Sequence, residues 1–138
     1  MRSSLVADTS VVYAALNPRE RHHQRSAELM LSGVFVVLPA PVITETTMLA
    51  HLRRNTGAVE AVLRSALDKT VAVVNLERFD YARALDLVRK YADLPLSFVD
   101  AAVVAIAERL NEDTIATLDR RHFSVVRPAH VDAFNLVP

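Results

Sequence analysis

Four carboxylates stand where a folded chain gains little from having them. Asp8 directly follows the apolar run Leu5-Val6-Ala7, and Asp119 follows Ile115-Ala116-Thr117-Leu118. Glu45 falls within a helical pattern from Val42 to Arg54. At about 100° per residue it projects between Leu49 and Leu52, beside Met48, in the middle of an apolar face. Asp100 shares its face of a second helical pattern, Ser97 to Leu110, with Val103, Val104 and Ala107, while Glu108 points elsewhere. A lone carboxylate on a buried apolar face must be paired or neutralised. Mutual neutralisation by a divalent cation would account for all four at once. The chain has no cysteine, and its histidines are read as core or surface residues away from these positions. Oxygen-only ligation selects Mg²⁺ or Mn²⁺ over zinc, and such sites act on phosphate esters. Plainer uses stay open for each acid. Asp8 and Asp119 suit helix N-caps, Asp100 suits a helix's positive end, and Glu45 could pair with a buried arginine.

The elements that must position these acids alternate in type. Strands are expected at Leu5–Ala7, Val34–Leu38, Val71–Val74, Thr114–Thr117 and Val125–Val126. Helices are expected after Asp8-Thr9-Ser10 through Leu16, in a segment that follows Arg25 and ends at Gly33, over Val42–Arg54, Ala58–Leu67, Arg78–Tyr91 and Ser97–Leu110, with a turn or short helix at Asp119–Phe123. Both glycines, Gly33 and Gly57, fall where a helical pattern ends. Alternating strands and helices imply an α/β fold with a mainly parallel sheet. The continuous apolar runs fit strands covered on both faces. In open sheets of this kind chemistry gathers beyond the carboxyl ends of the strands, where Asp8 and Asp119 fall.

Composition narrows the class. At 138 residues the chain is expected to form one domain, 1–138, able to bury roughly 68% of its unfolded surface. With 51% hydrophobic and 23% charged residues it is neither disordered nor fibrous. Basic and acidic residues balance at 16 each, which argues against bulk adhesion to nucleic acid or membrane but not against a local patch. The longest apolar stretch, Val34 to Ile43, carries Pro39 and Pro41 and reaches about half a membrane span. Asp8 interrupts what would be the apolar region of a secretory signal, so a cytoplasmic, non-membrane protein is expected. Two glycines cannot build a Gly-rich phosphate loop.

Four segments, in order, resemble the PIN-domain ribonucleases, and specifically the toxin half of VapBC-type toxin–antitoxin pairs. They are Leu5-Val6-Ala7-Asp8-Thr9-Ser10, Val42-Ile43-Thr44-Glu45, Asp93-Leu94-Pro95-Leu96-Ser97-Phe98-Val99-Asp100-Ala101 and Thr117-Leu118-Asp119-Arg120-Arg121-His122-Phe123. The resemblance spans nearly the whole chain and implies a PIN-like three-layer α/β/α fold. It implies Asp8, Glu45, Asp100 and Asp119 as the metal-binding quartet, with Thr9 and Thr117 orienting ligands or the attacking water. Ser97 stands where many relatives carry a further Asp, whose role is absent here. The implied activity is Mg²⁺-dependent endonucleolytic cleavage of RNA, with Mn²⁺ as a substitute, leaving 5′-phosphate and 3′-hydroxyl ends. A cognate antitoxin and a homodimer are the implied partners, with apolar surface for pairing expected at Ala14–Leu16, Leu29–Leu31 and Ala58–Leu67.

RNA approaching an acidic pocket needs cations around it. Fourteen of the 16 basic residues are arginine, the better phosphate fork. Arg120 and Arg121 beside Asp119, and Arg53 at the end of the Glu45 helix, are the candidate RNA contacts, while Arg19 to Arg25 reads as a solvated face. Phosphatase and receiver folds also place an acid after the first strand. The first needs a second Asp where Ser10 stands, and the second needs a strand-end lysine that neither Lys69 nor Lys90 supplies. A housekeeping RNA-processing nuclease of the same fold and a non-catalytic PIN scaffold that binds RNA or protein are the remaining alternatives.

Overall fold

The computed structural model describes residues 3–138. Five strands form one sheet: β1 (Ser4–Ala7), β2 (Phe35–Pro39), β3 (Ala72–Val74), β4 (Thr114–Ala116) and β5 (Asn135–Val137), in the order β3-β2-β1-β4-β5. All four pairings are parallel. Between β1 and β2 lie α1 (Thr9–Leu16) and α2 (His23–Met30). Between β2 and β3 lie α3 (Ala40–Leu52) and α4 (Thr56–Leu67), and between β3 and β4 lie α5 (Arg78–Lys90) and α6 (Phe98–Arg109). A short α7 (Arg120–Val125) joins β4 to β5. This is the three-layer α/β/α arrangement expected of the sequence.

The apolar runs form these elements because they are covered on both faces. Leu5, Val6 and Ala7 of β1 and Val36, Val37 and Leu38 of β2 are all buried. Helix α6 is the innermost helix: every residue from Ala101 to Ala107 is buried, as expected of a helix apolar all round. It starts where the Ser97 hydroxyl accepts the Asp100 N–H at 3.1 Å. The strand order reverses direction between β1 and β4, so the sheet's topological switch point opens a crevice at their carboxyl ends.

Four local expectations need correction. Val125 and Val126 are not a strand; they end and cap α7, and the fifth strand is Asn135–Val137. Gly57 does not end a helix but lies in the first turn of α4, whose cap is Asn55 accepting the Ala58 N–H. Strand β3 is an edge strand with Val73 exposed rather than a buried one. The core stripe of α3 is Val42, Thr46 and Ala50, so the face bearing Glu45, Met48 and Leu52 looks outward.

Candidate active site

Asp8 and Asp119 both occupy N-cap positions, before α1 and α7, yet neither side chain makes a capping bond. Their carboxylates are engaged elsewhere. Asp8 is 4% exposed, at the end of β1, with its N–H bonded to the Ala116 carbonyl of β4. Its Oδ2 accepts two hydroxyls, Thr117 Oγ1 at 2.9 Å and Ser10 Oγ at 3.0 Å. Each hydroxyl is aimed by a backbone donor from the segment after β4: Asp119 N–H donates to Thr117 Oγ1 and Leu118 N–H to Ser10 Oγ, both at 2.9 Å. Ser10 thus joins Thr117 in holding one oxygen of Asp8, a role its place in the Asp-Thr-Ser run did not disclose. The hydroxyl of Thr9 is buried without a hydrogen-bond partner among the described residues.

No cation is bonded to Asp8 among the described residues. Burial, and next to it the charge of Asp100, push its carboxyl up to about 6, against the opposing pull of the Thr117 and Ser10 hydroxyls. Asp100 itself comes from the first turn of α6. Its Oδ2 lies 3.0 Å from Nδ1 of His122, and the same nitrogen lies 3.4 Å from Oδ2 of Asp119. From sequence, the histidines read as core or surface residues and not as part of the site, although His122 flanks Asp119. Its contact with Asp100 joins α7 to the first turn of α6 and spans 22 positions, which sequence spacing does not encode.

Glu45 stands apart from this group. It lines an open groove of about 610 Å³ with Met48, Leu52, Tyr81, Phe98 and Val99. It is partly exposed, so the cost of burying a lone carboxylate does not apply to it. No hydrogen bond or ion pair among the described residues joins it to Asp8, Asp100 or Asp119, although Val99 of the same groove precedes Asp100. The arginines have other attachments. Arg53 pairs with Glu20 and lies over the Tyr13 ring, and Arg120 donates to the carbonyls of Leu136 and Pro138. Arg121 is exposed beside the site.

The donor chemistry suits a hard divalent cation: carboxylate oxygens, a hydroxyl shell and a buried acid without counter-charge. As the side chains stand, no three Asp, Glu or His groups among the described residues converge into a set that could hold an ion. His122 lies between Asp100 and Asp119 instead.

Comparison with known proteins gives one consistent answer. The PIN domain family matches residues 5–127. Ribonuclease VapC26 of Mycobacterium tuberculosis is 33% identical over 135 residues, 97% of this chain and 100% of that one. Among solved structures, the sarcin–ricin-loop-cleaving toxin VapC20 of Mycobacterium tuberculosis superposes with a TM-score of 0.82 at 23% identity, covering 92% of this chain and 98% of that one. The DNA-bound VapBC2 structure from Rickettsia felis gives 0.68 at 12% identity, covering 98% of this chain and 99% of that one. These structures share the fold, and the family match and the closer sequence relative carry the assignment. The chain belongs to the PIN-domain family, among its VapC-type members.

Proposed function

We propose that this chain is a divalent-metal-dependent endoribonuclease and the toxin half of a type II toxin–antitoxin pair. One observation carries the reading: Asp8, buried at the switch point of a parallel sheet, has no cationic partner among the described residues, and Asp100 is near enough to raise its pKa. Asp8, Asp100 and Asp119 would hold the ion, with Glu45 reaching it from the neighbouring groove. When bound, Mg²⁺, or Mn²⁺ in its place, polarises a phosphate oxygen and supplies a water of lowered pKa. The chain's own part is positional. Ser10 and Thr117 bind Oδ2 of Asp8 and favour its ionised form, which leaves Oδ1 for ligation. Thr9 offers an unpartnered hydroxyl beside it. Arg121 is free to meet the phosphate backbone, and Arg53 and Arg120 would do so only with the nitrogens their present partners leave over.

The partners follow from the surface and the relatives. A toxin–antitoxin complex from Klebsiella pneumoniae shares the fold over 88% of this chain and 92% of that one, with a TM-score of 0.63. Two exposed apolar surfaces remain here for an antitoxin and a second copy of the chain. One lies along α4, where Leu63 and Leu67 are exposed four residues apart, while Ala14, Leu16 and Leu29 of the expected pairing surface are buried or pack against the core. The other carries Met48, Leu52, Tyr81, Leu85 and Phe98. No helix among the described residues is long and apolar enough to cross a membrane.

The test is incubation of the purified protein with total RNA in Mg²⁺ and in EDTA, followed by mapping of the product ends. Discrete cleavage with 5′-phosphate ends in Mg²⁺ alone supports the reading. Identical lanes, or 2′,3′-cyclic phosphate ends, would end it.

A further inference from the structure

The contact that links Asp100 to Asp119 is made by His122. Its side chain is 13% exposed, so the ring is held by its surroundings rather than free in solvent. Nδ1 lies 3.0 Å from Oδ2 of Asp100 on α6 and 3.4 Å from Oδ2 of Asp119, which precedes α7. Both neighbours of that nitrogen are carboxylate oxygens, which can only accept, so Nδ1 carries the hydrogen. Each carboxylate also has a backbone anchor. Asp100 N–H is bonded to the Ser97 hydroxyl, and Asp119 N–H to the Thr117 hydroxyl. The peptide ends of the two acids are therefore fixed by caps and turns, and their carboxyl ends by one ring.

We infer that His122 is a positioning residue for the metal site: its Nδ1–H holds Oδ2 of Asp100, and steers Asp119, so that the remaining carboxylate oxygens face the ion. The inference rests on the proposed metal-dependent reading and adds a residue to it. Outer-shell donors of this kind fix the orientation of ligating groups, and losing one typically weakens metal binding about 10- to 100-fold. A ring that only filled space would be indifferent to which of its atoms carries a donor. A ring that competed with the ion for the same oxygens would weaken binding by its presence.

Two amide substitutions separate these roles. In His122→Asn the side-chain nitrogen falls near the place of Nδ1, and in His122→Gln it falls near the place of Nε2. Mn²⁺ binding to the wild type, both amide variants and His122→Ala is measured by calorimetry without RNA, with the melting temperature of each apo protein recorded beside it. The expected result is an Asn variant within about threefold of the wild type, and Gln and Ala variants weaker by about 10- to 100-fold. Cleavage by the Gln variant should recover at saturating Mn²⁺. Equal affinities across the series would overturn the inference, and so would tighter binding in the Ala variant or an Asn variant as weak as Gln. If His122→Ala fails to fold, the Asn–Gln contrast alone decides. A wild type that binds no Mn²⁺ would overturn the metal reading, and this inference with it; a wild type that binds while the series stays flat overturns this inference alone.

Discussion

Two buried aspartates in this molecule have opposite surroundings. Asp80 is 1% exposed and Asp8 is 4% exposed, so burial does not tell them apart. Asp80, on the first turn of α5, accepts the Glu77 N–H at 2.8 Å and the Arg109 Nε–H at 3.0 Å. It closes a capping box and ties α5 to α6, beside a second tie in which Arg83 forks onto Glu108 at 2.7 and 2.9 Å. Among the described residues Asp8 has two hydroxyls and no guanidinium, and the charge that raises its pKa is that of another acid. The buried carboxylate with a counter-charge is structural. Under the proposed function, the one without it awaits a cation from outside.

The contrast is sharpest in activity. Asp8→Asn keeps the shape and removes the charge, and RNA cleavage should fall by at least about 100-fold, as expected when an inner ligand is lost from a metal-dependent site. Asp80→Asn should retain cleavage in whatever fraction of it stays folded. Gel assays on both variants at matched folded concentration read the difference, and equal rates for the two would erase it.

Stability should reverse the ranking. Asp80→Ala takes from Arg109 the nearer of its two carboxylates, leaving Glu77 at 3.6 Å and the Asn75 carbonyl, and removes a helix cap, a loss of about 2 kcal/mol in urea unfolding. Asp8→Asn should gain stability in EDTA at pH 7.5. Its carboxyl is raised from 3.8 to about 6 in the fold, and at 1.36 kcal/mol per unit this is worth at most about 3 kcal/mol. Because the folded state holds the proton more tightly, this stabilisation is complete below about pH 4 and is lost as pH rises through 6. Wild-type stability should therefore fall across that window, and the Asn variant should stay flatter. A variant that is less stable than the wild type at pH 7.5 would contradict the missing counter-charge.

Smaller effects follow from the same pocket. Mg²⁺ at about ten times its dissociation constant should add about 1.4 kcal/mol to the wild type, a rise of a few degrees in melting temperature, and much less to Asp8→Asn. Ser10→Ala and Thr117→Ala each remove one donor to Asp8 and should cost about 1 kcal/mol. Ser10→Ala should also raise the Mg²⁺ concentration needed for half-maximal cleavage.

The sequence made the strand-end acids legible because parallel sheets put chemistry at the carboxyl ends, and Asp8 and Asp119 sit after apolar runs. It left them indistinguishable from helix caps, since cap and ligand occupy the same position. Only the side-chain bonds separate the two. Glu45 was misplaced because a 3.6-residue period finds an apolar stripe without saying which stripe meets the core, and here the core stripe contains Thr46. Strand β5 escaped notice because three residues, Asn135–Val137, carry too little pattern, while Val125-Val126 carries more β-propensity than its helix-ending position warrants. The bonds of Ser10 to Leu118 and Thr117, and of His122 to Asp100, depend on how the segment after β4 folds back, a tertiary fact with no local signature. The approach of His122 to Asp119, by contrast, is an i,i+3 pair.

The most direct test of the account is the ionisation of Asp8 itself. Its carboxyl carbon is followed by ¹³C NMR through a pH titration, once in EDTA and once with saturating Mg²⁺, with Asp8→Asn used to assign the resonance. The expected midpoint is about 6 without metal, moving down toward or below the ordinary 3.8 when Mg²⁺ is present. A midpoint near 3.8 in EDTA, or one near 6 that Mg²⁺ leaves unmoved, would contradict a buried carboxylate waiting for a divalent cation.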